Sequence, residues 1–236
     1  MTDDDVAADH LVLEPSGGLA TACSMACSMP LLPGELLTRR GWPAPDQRRP
    51  ISPRRAAQPL YGCGMTSTNW PAAEAIETAR LILEPLRVDH AAQMAPALDD
   101  ERLHEFIGGQ PATLEQLQER YGRQVVGRSA DGTQGWCNWV VRHRGTGAVV
   151  GTVQATLHTE RGRTAAEIAW VVAVPHQGQG YASEAAAGMA GWLARHGAEV
   201  LVAHVHPEHH ASIGVARALG LSPTDVIVDG EIRWTT

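Results

Sequence analysis

From about residue 75 the chain switches repeatedly between two hydrophobic periods. The run "ARLILEPL" (79–86) is apolar, ends on a proline and predicts a strand. "VDHAAQMAPALDD" (88–100) carries an apolar helical face, with Asp89 as its candidate N-cap. "TLEQLQERYGRQVVGR" (113–128) predicts a second helix, because Thr113 and Gln116 stand at capping-box spacing. Three strand-like runs follow, "GWCNWVVRHR", "AVVGTVQATLH" and "TAAEIAWVVAV". The turns between them, "GTG" and "ERGR", are short enough for an antiparallel meander.

A loop rich in glycine and glutamine, "VPHQGQGYASEA" (174–185), then leads into "YASEAAAGMAGWLARHG" (181–197). In that run Ala182, Ala185, Ala186, Met189 and Leu193 share one helical face, and Gly197 marks the stop. "EVLVAHV" is a further strand, and "PEHHASIGVARALG" a helix running from Pro207 to Gly220. "SPTDVIVDGEIRW" closes the pattern as a hairpin about Asp229-Gly230. The order is strand, two helices, three strands, helix, strand, helix, two strands: an α/β domain over residues 75–236 with about seven strands and about four helices.

Residues 1–74 differ. Nine of the 15 prolines and three arginine pairs (Arg39-Arg40, Arg48-Arg49, Arg54-Arg55) fall there, and no apolar periodicity persists. Such a segment buries too little surface to offset its ordering entropy, and it reads as a disordered extension. Met65 stands just ahead of the ordered pattern.

Composition narrows the function. The net charge of −7 argues against a nucleic-acid surface. All 19 basic residues are arginine, which removes phosphate-loop and Schiff-base chemistry that requires lysine. Four cysteines (Cys23, Cys27, Cys63, Cys137) form no disulfide framework and fit a reducing compartment. The acidic N-terminus is unlike a signal peptide, and no apolar run approaches membrane-spanning length. A cytoplasmic protein without membrane contact is expected.

Gly178 and Gly180 pose the functional question. A dinucleotide fingerprint wants a third glycine where Ser183 stands. A nest of backbone N–H groups at a helix N-terminus needs no lysine, and it binds a pyrophosphate. In that setting Gln177, Gly178, Gln179, Gly180, Tyr181 and Ala182 resemble the Q/R-x-x-G-x-G/A signature of the GCN5-related N-acetyltransferases (GNAT). "HPEHHASIGVARALGL" (206–221) is similar to that family's second signature, in the branch that modifies ribosomal-protein N-termini and similar amines.

The resemblance implies a GNAT-type mixed, mostly antiparallel sheet and acetyl-CoA as donor. It implies that the backbone of Val172, Ala173 and Val174 pairs with the pantetheine arm and that residues 177–182 hold the pyrophosphate. Small residues Ala185, Ala186 and Gly188 would let the helix pack close to its sheet. The acceptor would be a primary amine, acetylated by direct transfer. Glu167, the lone carboxylate in its apolar strand, is the candidate base, with its pKa open to being raised by burial. Ser212 falls where the branch places a serine near the thiol. The family's usual asparagine is His209 here, and its usual late tyrosine is Ala216.

His204, His206 and His209 lack the Cys or Asp partners a zinc site needs, so no metal is expected. Trp136, Trp139 and Trp170 read as core. A homodimer is a candidate assembly. A non-catalytic acyl-CoA-binding module and an interaction role for the extension are the alternatives.

Overall fold

The computed structural model describes residues 69–107 and 109–236, so expectations about residues 1–68 lie outside the described residues. Strands β1 (Ile76–Glu77), β2 (Leu81–Pro85), β3 (Gly135–His143), β4 (Val149–Glu160), β5 (Arg163–Val172), β6 (Val200–Val205), β7 (Ser222–Val228) and β8 (Glu231–Thr235) form one sheet. Its order is β1-β2-β3-β4-β5-β6-β8-β7. Helices α1 (Ala91–Ala97), α2 (His104–Ile107) and α3 (Leu114–Gln124) connect β2 to β3, α4 (Tyr181–Arg195) connects β5 to β6, and α5 (His210–Ala218) connects β6 to β7. Every pairing is antiparallel except β5 with β6. The expected meander is β3-β4-β5. The two-residue β1 brings the strand count above the expected seven.

Local chemistry explains most boundaries. Gln116 N–H donates to Thr113 Oγ1 (3.3 Å) and Thr113 N–H to Gln116 Oε1 (2.9 Å), closing the capping box of α3. Both long C-terminal helices end in Schellman caps on a left-handed glycine, with Ala198 N–H donating to Leu193 O and Leu221 N–H to Ala216 O. Arg161-Gly162 and Asp229-Gly230 both hold positive φ, as the tight β4-β5 and β7-β8 hairpins require.

Two boundaries differ from expectation. Asp89 is no cap: it lies inside a 3-10 turn (Val88–His90) and pairs with Arg87 at 3.0 Å. Helix α5 begins at His210 instead of Pro207, because His209 N–H and His210 N–H close a turn onto His206 O and Glu208 O.

The sheet has two unlike faces. Alternation along β4 sends Val153, Ala155 and Leu157 into the main core beneath α4, with Trp139, Met189, Trp192 and Leu193. The other face carries Asn138, Thr152, Gln154 and Thr156, and is covered in part by a smaller core of Ala91, Met94, Leu117, Tyr121 and Val140. Trp139 is fully buried as expected. Trp136 is not core: it stands opposite Thr156 on the polar face, half-buried.

Packing begins upstream of residue 75. The Trp70 indole donates to Gly132 O (3.0 Å) and its ring covers Gly135, where a side chain would collide with it. The Trp139 indole donates to Glu74 O (2.7 Å), and the Trp192 indole to Glu74 Oε2 (3.3 Å). A chain starting at Met65 is expected to melt with the full-length protein. One starting at residue 75 strands the buried Trp139 N–H, a loss of about 1–3 kcal/mol, and should melt roughly 3–10 °C lower by calorimetry.

Candidate active site

Strand β5 organises the site. Its pairing with β4 runs unbroken from Arg163 to Val172, but its parallel pairing with β6 covers only residues 165–167 against 200–202. Ala173 N–H donates to Val150 O, so Val172 and Gly151 form a non-hydrogen-bonded pair. By alternation the N–H and C=O groups of Ile168, Trp170 and Val172 point away from β4, toward the side that β6 has left. The strand therefore presents an open backbone edge beside the cleft between β5 and β6.

Past that edge lies the glycine loop. Gly178 (φ 74) and Gly180 (φ 78) take the left-handed conformation. Gln177 Nε2 donates to Val172 O (3.0 Å) and Gln179 Nε2 to Pro175 O (3.4 Å), so the glutamine amides fasten the loop to itself. The N–H groups of Gly178, Gln179, Gly180, Tyr181, Ala182 and Ser183 have no acceptor among the described residues; the ladder of α4 starts with Glu184 N–H donating to Gly180 O. Six successive free donors at a helix N-terminus form an anion nest. The Tyr181 ring is buried, which leaves its backbone to face a ligand. Ala185 and Ala186 are buried, and Gly188 packs so closely on Thr78 that a β-carbon would crowd it.

Of the three residues expected to pair with a pantetheine arm, Ala173 has both polar groups spent, on Val150 O and His176 N–H. The Val172 carbonyl is capped by Gln177, and the Val174 carbonyl accepts from Gln177 N–H (3.2 Å). The open edge thus comprises the Trp170 groups and the N–H groups of Val172 and Val174, none of which has a partner in the β4 ladder.

A clasp that the sequence pattern did not reveal holds the nest. The Arg80 guanidinium donates to Glu184 Oε2 (2.7 Å) and to Gln179 O (3.0 Å), and lies 4.6 Å above the Tyr181 ring. Glu184 Oε1 also accepts from Arg80 N–H (2.7 Å) and Thr78 Oγ1 (2.6 Å). Burial pushes the Glu184 carboxyl up, but the hydrogen bonds from Thr78 and Arg80 outweigh it and hold it below its ordinary 4.5. A carboxylate beside an anion nest is tolerable because these donors consume its charge.

Around the cleft, the Trp170 indole donates to Ser212 Oγ (3.3 Å), placing Ser212 of α5 over β5. An indole only donates, so the Ser212 hydroxyl keeps its own proton for another acceptor. Glu167, the last residue of β5 paired to β6, is 32% exposed instead of enclosed, and its Oε1 accepts from His204 Nδ1 at 3.2 Å. His209 stacks on Phe106 at 4.3 Å, with His206 tilted on the same ring at 5.5 Å. Burial, then the neighbouring His206, lowers the His209 pKa and keeps the ring neutral at neutral pH. His204 thus pairs with Glu167 while His206 and His209 share the Phe106 ring, and no group of three or more potential metal ligands gathers among the described residues. Ala216 is fully buried.

Glu167, Ala169 and Val171 point to the opposite face from Ile168, Trp170 and Val172. A pocket of about 100 Å³ opens there between the sheet and α1–α3, with Leu98, Leu117 and Tyr121 as walls and Asn138, Gln154 and Val171 as floor. No helix among the described residues is long and apolar enough to cross a membrane.

An open strand edge thus runs into a cluster of backbone N–H groups at a helix N-terminus. Residues 80–222 match the profile of the acetyltransferase (GNAT) domain. The chain belongs to the GNAT acetyltransferase family. A GNAT-family acetyltransferase from Bacillus anthracis superposes with a TM-score of 0.57 at 18% identity, covering 69% of this chain and 98% of that one. The ribosomal-protein-S5-alanine acetyltransferase from Vibrio fischeri gives 0.56 at 17%, covering 69% and 96%. The ribosomal L7/L12 α-N-protein acetyltransferase RimL, in complex with coenzyme A, gives 0.56 at 14%, covering 69% and 97%. Comparison with curated proteins gives no match.

Arg80→Met is expected to weaken coenzyme A binding about tenfold by calorimetry, because the Glu184 charge then faces the nest uncompensated. Adding Glu184→Gln should restore most of the affinity. The depressed Glu184 pKa also contributes stability that is complete above pH 4.5 and lost as pH falls through the lowered value. Glu184→Gln should accordingly flatten the acid limb of a melting-temperature profile.

Proposed function

We propose that the protein is an N-acetyltransferase that moves the acetyl group of acetyl-CoA directly to a primary amine. The observation that carries this reading is the run of six unaccepted N–H groups at residues 178–183, continuous with the open edge of β5. A diphosphate fits the first and an extended amide-bearing arm the second, by the addition of a strand-like segment. When bound, the thioester supplies an activated acetyl carbon and a thiolate leaving group.

The residues divide the remaining work. Glu167 accepts the proton the amine must lose, directly or through one water, and His204 orients the carboxylate. A backbone N–H on the open edge of β5 donates to the carbonyl oxygen as charge builds there. As the C–N bond forms and the C–S bond breaks, Ser212 Oγ–H donates a hydrogen bond to the departing sulfur, its oxygen held by the Trp170 indole, and the thiolate takes its proton from solvent. His209 lines the same end of the cleft as a neutral ring stacked on Phe106. Direct transfer is favoured over an acetyl-cysteine relay because burial pushes the Cys137 thiol up to about 12 and shuts it from solvent.

Glu167→Gln keeps size and hydrogen bonding but removes basicity. Its kcat/KM should fall at least about 100-fold, with acetyl-CoA affinity unchanged by calorimetry. Near-normal activity in that variant would make Glu167 structural. Ser212→Ala should lower kcat with little change in the KM for either substrate. An enzyme that bound acetyl-CoA tightly but acetylated no amine would instead be a sensor of the acyl carrier.

A further inference from the structure

Resting on that reading, the pocket beside β5 restricts what the amine is attached to. We propose that the acceptor is a monocationic primary amine bearing one compact apolar group, about the size of a leucine or methionine side chain.

Position comes first. Val171, Ala169 and Glu167 lie in one row on the acceptor face of β5, opposite Thr152, Gln154 and Thr156 of β4. Val171 and Gln154 floor the pocket, and Gln154 pairs with Ala169, so the near edge of the pocket lies about 7 Å along the strand from Glu167. An amine beside Ala169, reached by Glu167 through one water, can place a compact substituent in it. The pocket is the place where that substituent ends.

Size comes second. About 100 Å³ is well below the roughly 300–1,000 Å³ of pockets that enclose whole ligands. It is somewhat less than the roughly 150 Å³ of a cavity that accepts benzene. One branched or linear aliphatic side chain fills such a space, and a sugar ring or a long chain exceeds it. Leu86, Leu98, Leu103, Leu117 and Val171 make the lining mostly apolar, so occupancy by an aliphatic group is favourable.

Charge comes third. Among the described residues no carboxylate lines this pocket, and Arg120 stands in its lining as a guanidinium. A second ammonium on the acceptor would be desolvated among leucines beside a guanidinium, with no counter-ion. Glu101 and Glu105 face a separate, shallower hollow that shares only His104 with it. The asymmetry selects against polyamines.

The chemistry is shared by two sources, the N-terminal residue of a peptide and a free small amine, and one panel separates them. Full-length protein is assayed with acetyl-CoA against a leucine-initiated peptide, the same peptide initiated by glycine, leucinamide, isopentylamine and spermidine. The leucine-initiated peptide or leucinamide should exceed its glycine counterpart roughly 10- to 100-fold in kcat/KM, and spermidine should be the poorest acceptor. A peptide preference over leucinamide identifies a peptide source, and the reverse identifies a small amine. Ala112→Leu adds volume inside the pocket and should reduce or invert the leucine-over-glycine ratio, while acetyl-CoA affinity by calorimetry stays the same. Equal rates for leucine and glycine acceptors, or spermidine as the best substrate, overturn the inference while leaving amine acetylation intact. Acetyl-CoA binding with no turnover of any amine overturns amine acetylation itself, and this inference with it.

Discussion

Strands β5 and β6 exchange ladder hydrogen bonds at only three residues each, 165–167 with 200–202, and then part. A central strand cannot leave N–H and C=O groups unpaired in a dry interior without a cost of a few kcal/mol per group. The opening is tolerated because β5 keeps full pairing to β4 on its other side. Gly151 permits that pairing: a β-carbon there would collide with the Val171 carbonyl, so β4 and β5 could not stay in register to the end. One strand is thereby held rigidly on one edge and offered on the other. Ser212, Glu167 and the loop at 177–182 all take their positions from it.

The elements whose signals are local were legible in the sequence. The capping box at Thr113, the stops at Gly197 and Gly220, the meander and the Asp229-Gly230 hairpin each depend on residues within a few positions of one another. The glycine loop was legible for the same reason, since its conformation is set by Gly178 and Gly180 alone. The Arg80–Glu184–Thr78 clasp was not, because about a hundred residues separate its halves and a lone arginine before a strand carries no pattern. The packing of Trp70 and Glu74 was hidden likewise: the proline-rich composition around them masked two contacts made with strand and helix far downstream.

Register sorts which backbone groups of the expected edge are open. The family resemblance pointed at residues 172–174 as a block, yet a strand offers alternate residues to opposite sides. Once Ala173 N–H is committed to Val150 O, parity assigns the open side to Trp170 and Val172, and no sequence motif encodes that parity. The same alternation moves Trp136 out of the core, since it shares a side with Asn138, Gln154 and Thr156 instead of Trp139.

The two faces of the sheet carry opposite electrostatic designs, and β5 connects them. On the donor face, attraction for an anion comes from uncharged backbone dipoles, and the only nearby carboxylate is consumed by Thr78 and Arg80. Such a site needs no lysine, in keeping with a chain that has none. On the opposite face the one carboxylate of the strand, Glu167, stays partly in water and is held by one histidine, so a base acting from that position, as proposed, would have solvent and His204 as routes for its proton. The partial exposure of Glu167 follows from its place in the last β5–β6 pair, where β6 departs.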